Sequence, residues 1–189
     1  MKKNKLMVGL ASITFVLNAL IHVSHRLNLI NLHAHGSTEA LGMNTLPGYY
    51  DLVTGLFFAV PLLLLLFAAY LMFRKPHAEI TPSLVTLSLT FSVISMIMGG
   101  MGSVEYHFGI FMVVAMMAYY NSVKLVSLMT IIFVVQHLTG YFYAPATLFV
   151  YGPGDYPSIM VIMHAAFLLF DRRSCYLADR LESETGAGV

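Results

Sequence analysis

Residues 101–120, MGSVEYHFGIFMVVAMMAYY, place three polar or ionisable side chains at the start of a long apolar run. Glu105, Tyr106 and His107 come first, and the apolar stretch continues to the paired tyrosines. Ionisable groups are costly in a bilayer, so their presence in a membrane segment is by default an indication of function. We therefore predict a membrane helix over Val104–Tyr120 that begins at a functional site.

The composition of the whole chain is that of a membrane protein with several spans. Of 189 residues, 58% are hydrophobic and only 10% are charged, and the mean hydropathy is +0.78. Soluble domains contain about 25% charged residues. The formal net charge of +1 gives no indication of a nucleic-acid partner. Cys175 is the single cysteine, which excludes an internal disulfide framework.

The apolar segments predict an all-α fold, a six-helix transmembrane bundle. The first apolar run is longer than the apolar core of about 7–15 residues in a signal peptide, so we interpret it as a retained helix. We expect a membrane domain over residues 1–173 and a cytoplasmic helical extension over 174–189. Besides Val104–Tyr120, the predicted helices are Leu6–Ile30, Tyr49–Phe73 with Pro61 as a kink, Pro82–Met101, Leu125–Tyr143 and Ile159–Phe170.

The basic residues predict the orientation of this bundle. Cytoplasmic loops of membrane proteins carry an excess of Lys and Arg. With the N-terminus inside, nine of the ten basic residues are cytoplasmic, and only Arg26 lies near the outer face. We therefore expect a multi-pass membrane protein with both termini in the cytoplasm.

Histidines from four of the predicted helices fall in the outer half of the bilayer in this topology. They are His22 and His25 in the first helix, His107 in the fourth, His137 in the fifth and His164 in the sixth. His33 and His35 lie in the first outer loop, and His77 alone is cytoplasmic. A single membrane histidine more often hydrogen-bonds a neighbouring helix. Convergence from four helices instead favours ligation of a cofactor.

Local spacings add to this interpretation but leave alternatives open. Asn18, His22 and His25 recur at helical spacing and share one face. Gly140 follows His137 by three residues and Gly109 follows His107. These glycines suit either ordinary helix packing or space for a flat macrocycle.

Imidazole ligands serve heme iron, zinc, copper and non-heme iron. Heme b is favoured by single ligands from separate helices, by an apolar surround that includes Phe108, Phe111 and Phe133, and by Arg26, which could pair with propionates. A bare Cu, Zn or Fe ion is favoured by Glu105 beside His107 and by the paired His22 and His25. In the heme hypothesis Glu105 hydrogen-bonds a ligand imidazole; in the bare-metal hypothesis it is a ligand.

Two stretches resemble the N-terminal membrane sensor domains of some bacterial methyl-accepting chemotaxis receptors and diguanylate cyclases. They are EYHFGIFMVVAMMAYYNSVKLVSLMTIIFVVQHLTGYF and DYPSIMVIMHAAFLLF, about half the chain. Glu105, His107, His137 and His164 match the family's short motifs. The resemblance implies signal input, a downstream cytoplasmic signalling module and a homodimer. The sequence departs from the family in having no methylated coiled coil or cyclase after the sixth helix.

We therefore expect a sensor whose cofactor binds a gas or changes redox state, with the signal passing along the sixth helix. The alternatives are a bare-metal sensor and a small membrane metalloenzyme or oxidoreductase. The sequence contains no HExxH motif and no second histidine layer near the cytoplasmic side. These absences make catalysis the weaker hypothesis.

Overall fold

The fold consists of α-helices that follow the predicted apolar segments. A computed structural model of the chain describes residues 2–27, 29, 49–100, 102, 104–143 and the isolated positions 159, 162 and 166. Within these residues there is no strand. The helices are α1 (Lys2–Arg26), α2 (Tyr50–Arg74), α3 (Thr81–Gly99), α4 (Val104–Ala118) and α5 (Val123–Phe142).

The predicted sixth helix lies almost wholly outside the described residues. The isolated positions Ile159, Ile162 and Ala166 have helical backbone. His164, the two loop histidines and the predicted extension over 174–189 are not among the described residues. The six-helix count and the domain boundary therefore remain predictions.

Four of the helices are long and apolar enough to cross a membrane, namely α1, α2, α3 and the Val123–Gly140 part of α5. The fourth predicted helix is shorter than expected, because Tyr119 and Tyr120 form a turn after Ala118. With 15 residues, α4 is about 22 Å long at about 1.5 Å per residue. A bilayer core is about 30 Å thick.

The boundaries of α1 differ from the prediction at both ends. The helix begins at Lys2, before the apolar run, because lysine is itself a good helix former. It ends at Arg26, and Leu27 lies in a turn. In contrast, α2 contains Pro61 in its interior, as predicted.

Helix α3 is the centre of the bundle and contacts each of the other four helices. Its small polar residues allow close approach: the Ser88 hydroxyl donates to the Pro61 carbonyl of α2 at 2.9 Å. Ser92 and Ser95 are also fully buried. On the α4 side, a side chain at Gly109 would lie 2.6 Å from Met96 Cε, so that glycine serves helix packing.

Apolar side chains cover the outside of the bundle, while hydroxyl and amide groups lie inside it. Large exposed residues occur on α1, α2 and α5, and buried polar ones lie mainly on α3. This distribution suits lipid as the surrounding solvent, where apolar groups gain nothing by burial. Exposed examples are Ile13, Val16, Leu20, Leu52, Leu56, Leu63, Leu66, Ile131 and Val135, and buried polar examples are Thr14, Asn18, Thr86, Ser88, Thr90, Ser92 and Ser95.

Side-chain contacts define two ends of the bundle. The last turns of α1 and α3 meet the first turns of α2 and α4 at one end, which we call the histidine end. At the other end Lys3 Nζ lies 5.6 Å from the ring centre of Tyr119, so the start of α1 meets the end of α4. This basic end contains Lys2, Lys3, Lys5, Arg74, Lys75 and Lys124, whereas Arg26 lies at the histidine end.

Candidate cofactor site at the histidine end

His22 is held in the interface between α1 and α3. Its Nε2 lies 2.9 Å from the Ser95 carbonyl oxygen and 3.0 Å from the Ser95 hydroxyl oxygen. Because a carbonyl only accepts, Nε2 must carry the hydrogen. The Asn18 amide donates to the same hydroxyl at 3.2 Å. Asn18 and His22 therefore share one face, as predicted, and both bind Ser95.

The ring of His22 is also fixed by packing. It lies against Gly99 of α3, where a Cβ atom would overlap the imidazole. On the other side the Phe58 ring contacts it edge-on at a centroid distance of 5.0 Å. These contacts describe a histidine that joins three helices. None of these contacts tests whether His22 binds a cofactor.

His25, one turn further along α1, contacts the start of α4. Its Nε2 lies 2.9 Å from the Tyr106 hydroxyl, and the two rings meet edge-on with centroids 5.7 Å apart. The Tyr106 ring in turn lies directly over Gly100, where a Cβ atom would overlap it. His25 therefore reaches the residue that precedes His107.

His107 and His137 form a buried pair between α4 and α5. Their ring centroids are 5.9 Å apart with an angle of 69° between the ring planes. His107 is 7% exposed and His137 is 3% exposed. His137 Nδ1 lies 2.8 Å from the Phe133 carbonyl oxygen. Since the carbonyl only accepts, Nδ1 holds the hydrogen, and in the neutral ring Nε2 keeps its lone pair.

The hydrogen bond from His137 Nδ1 to a carbonyl is typical of histidines that bind a metal through Nε2. Metal-binding histidines almost always donate their other N–H to a carbonyl, a carboxylate or water, which fixes the tautomer. Phe133 itself is fully buried, whereas Phe108 is 67% exposed and faces outward. Of the aromatic surround that the sequence suggested, only Phe133 lies in the core among these residues.

The other predicted site residues among those described lie at the histidine end, and they differ in burial. Glu105 is exposed in the first turn of α4, and Gly140 is buried near the end of α5. Arg26 Nη2 lies 3.9 Å from Asp51 Oδ1, with both side chains exposed at the histidine end. An exposed pair of this kind contributes little to stability. Arg26 therefore remains accessible to another anion.

The described residues offer few metal-binding side chains close together, and this limits which metal or cofactor they could bind. Among them, no three His, Cys, Asp or Glu side chains form a group that could bind a metal ion. His107 and His137 offer two imidazoles, which suit an ion that receives its remaining ligands from elsewhere. Heme iron is such an ion, because the porphyrin supplies four nitrogens and the protein supplies the axial ligands.

Some residues of this region were not singled out from the sequence. Tyr106 was noted only as part of the EYH motif, and its bond to His25 joins α1 to α4. Gln136 beside His137 is buried, and its amide makes no hydrogen bond within the described part of the chain. A glutamine in an apolar helix is the sequence signal that could have identified it, because an unpaired buried amide is costly.

The described fold defines an all-helical protein with the features of a polytopic membrane protein. No protein-family model, curated protein or solved structure matches the chain. The resemblance to chemoreceptor and cyclase sensor domains therefore rests on the motif residues alone.

Proposed function

We propose that this chain is a bacterial membrane signal-input domain with a b-type heme held by His107 and His137. The main support is the buried contact between these two rings, whose centroids are 5.9 Å apart. Rings this close could both bind one metal ion, and His107 and His137 are the residues that would hold it. The hydrogen bond from His137 Nδ1 to Phe133 presents Nε2 as the ligand atom.

Heme suits the pair better than a bare ion does. Structural zinc sites use four protein ligands, and catalytic ones use three. The described residues provide two close imidazoles and no third metal-binding side chain beside them. When bound, heme would supply an iron that changes oxidation state, or that takes up a diatomic gas after one of the two imidazoles has left it. Arg26, exposed at the same end, has the charge to pair with a propionate.

The burial of the His107–His137 pair fits a sensor better than an enzyme that acts on a polar substrate. Both rings are almost fully buried in a bundle whose outer surface is apolar. A small apolar gas can reach such a site through lipid, and an electron needs no open cleft. The resemblance to chemoreceptor and cyclase input domains supports the same function and adds a homodimer with a downstream cytoplasmic signalling module.

The basic residues support the proposed orientation in the inner membrane. All described Lys and Arg residues except Arg26 lie at the basic end. By the positive-inside rule, this end faces the cytoplasm and the histidine end faces outward. Both termini of the six-helix bundle are then cytoplasmic.

A bare Cu, Zn or Fe centre is the second candidate, in a sensor or a small metalloenzyme. Its support is the presence of a carboxylate, Glu105, in the same first turn of α4 as His107. His164, from the sixth segment, would complete a ligand set of three histidines. This candidate predicts a metal in the purified protein without the absorbance of a porphyrin.

The test is the absorbance and elemental analysis of the purified protein and three variants. We expect a Soret band in the parent, and its loss or shift in His107→Ala and in His137→Ala. His77→Ala is the matched control, because His77 is exposed in the turn after α2 at the basic end. Unchanged heme content in both His107→Ala and His137→Ala would contradict the proposed ligands. Stoichiometric metal without a Soret band would establish the second candidate.

A further inference from the structure

The end of α1 is held against the junction between α3 and α4 at two adjacent glycines. The ring of His22 lies on Gly99, and the ring of Tyr106 lies on Gly100. Gly102 then turns the chain into α4 with a positive φ of 74°, a conformation that favours glycine. The His25–Tyr106 hydrogen bond of 2.9 Å closes the contact. This junction therefore links three helices through closely packed groups.

Tyr106 occupies a particular place in the junction, because it directly precedes His107. Successive residues of an α-helix point about 100° apart. Tyr106 accordingly contacts His25 of α1, while His107 contacts His137 of α5. The first turn of α4 thus lies between α1 and the histidine pair. A displacement of that turn must alter the contact with α1 or strain the Tyr106 ring.

The packing of Tyr106 limits how much of such a displacement it can absorb. Its ring lies so close to the Gly100 backbone that a Cβ atom there would overlap it. The ring also meets the His25 ring edge-on, with centroids 5.7 Å apart. The ring therefore has little room to rotate away from α1.

We propose that Tyr106 transmits the state of the His107–His137 centre to α1 through its hydrogen bond with His25. The inference rests on the proposed function and adds a route that does not involve the sixth segment. Helix α1 is continuous from Lys2 to Arg26. It therefore connects the junction with the basic end, where its first residues include Lys2, Lys3 and Lys5.

The experiment measures the distance between two spin labels at the basic end with and without hemin. The labels are attached at Lys5→Cys and Lys124→Cys, both exposed, in a Cys175→Ser background that removes the single native cysteine. We expect hemin to change this distance by about 1–2 Å, the size of helix shifts in switching proteins. In Tyr106→Phe we expect the change to be lost while the Soret band remains.

Tyr106→Phe removes the hydroxyl but keeps the ring on Gly100, so the fold and the hemin content should be retained. Tyr143→Phe is the matched control, because it deletes the same group from an exposed tyrosine at the end of α5. The control should keep the full distance change.

Each remaining outcome has a distinct meaning. An undiminished distance change in Tyr106→Phe would overturn the inference, and so would a parent protein that binds hemin without any change. A parent that binds no hemin would instead contradict the heme proposal, and if it also contains no metal the inference would fall with it. If elemental analysis identifies a bare metal, the same labels are compared with that metal bound and after its removal by a chelator.

Discussion

The imidazole of His22 occupies the space that a side chain on Gly99 would fill. Its Nε2 meanwhile donates to the Ser95 carbonyl one turn earlier on α3. The two helices are thus joined by one ring that packs on a glycine and bonds a serine. Asn18 adds a second bond to Ser95. The interface between α1 and α3 therefore depends on a few polar and small residues.

Gly99→Ala should destabilise the protein, because the added methyl group overlaps the His22 ring. Overpacking of this kind typically costs about 1–3 kcal/mol. Gly9→Ala on α1 is the matched control, since a Cβ atom there has no heavy atom within 4 Å. Replacing a helical glycine without a clash gains roughly 0.5–1 kcal/mol. The free energy of unfolding in mixed micelles should therefore fall in the first variant and not in the second.

Ser95→Ala should also lower the free energy of unfolding, by about 1–3 kcal/mol, because it leaves the buried Asn18 amide N–H group without its partner. His22 keeps its bond to the carbonyl of residue 95, so the helix interface should survive. Ser12→Ala is the control, since the Ser12 hydroxyl bonds only within α1, to the Val8 carbonyl, among described contacts. The hypothesis fails if the two variants unfold at the same denaturant concentration.

Reporter fusions test the orientation of the bundle. Fusions after Lys75 and Lys124 should be cytoplasmic, and fusions after Gly42 and Gly152 should be external. The physical reason is the concentration of Lys and Arg at the basic end, with Arg26 alone opposite among described residues. An external position of the Arg74–Lys75 turn would place the histidine pair on the cytoplasmic side and contradict the proposed topology.

Much of the fold could be predicted from hydropathy and charge. The apolar runs gave the positions of α2, α3 and α5 within a few residues, because a span needs about 20 apolar residues regardless of its neighbours. The grouping of His22, His25, His107 and His137 at one end follows from the alternation of helix direction. That alternation follows because each segment that spans a membrane must return the chain to the side from which the previous segment came.

The different partners of the four histidines could not be predicted from hydropathy and charge. His22 and His25 use their Nε2 atoms in bonds to Ser95 and Tyr106, whereas His107 contacts His137. Which helix face meets which neighbour depends on small residues such as Gly99 and Gly100, and hydropathy carries no information about them. The central position of α3 was missed for the same reason, since its hydropathy does not distinguish it from α5.

Glu105→Gln distinguishes heme from a bare metal at the histidine pair. The substitution keeps the shape and a hydrogen-bonding oxygen but removes the charge from the exposed first turn of α4, two residues before His107. If heme is bound by His107 and His137, it should remain bound. Loss of a nearby negative charge disfavours the ferric state, so the reduction potential should rise.

For a bare ion that uses Glu105 as a ligand, the same substitution removes a charged donor, and the metal content should fall sharply. Changes to groups that orient metal ligands typically cost about 10–100-fold in affinity, and loss of a ligand should exceed that. Glu79→Gln is the matched control, because Glu79 is exposed near the start of α3 at the basic end. Redox titration and elemental analysis of both variants provide the measurement. Retained heme with a raised potential in Glu105→Gln alone supports the heme proposal, whereas a colourless parent whose metal is lost in that variant would contradict it.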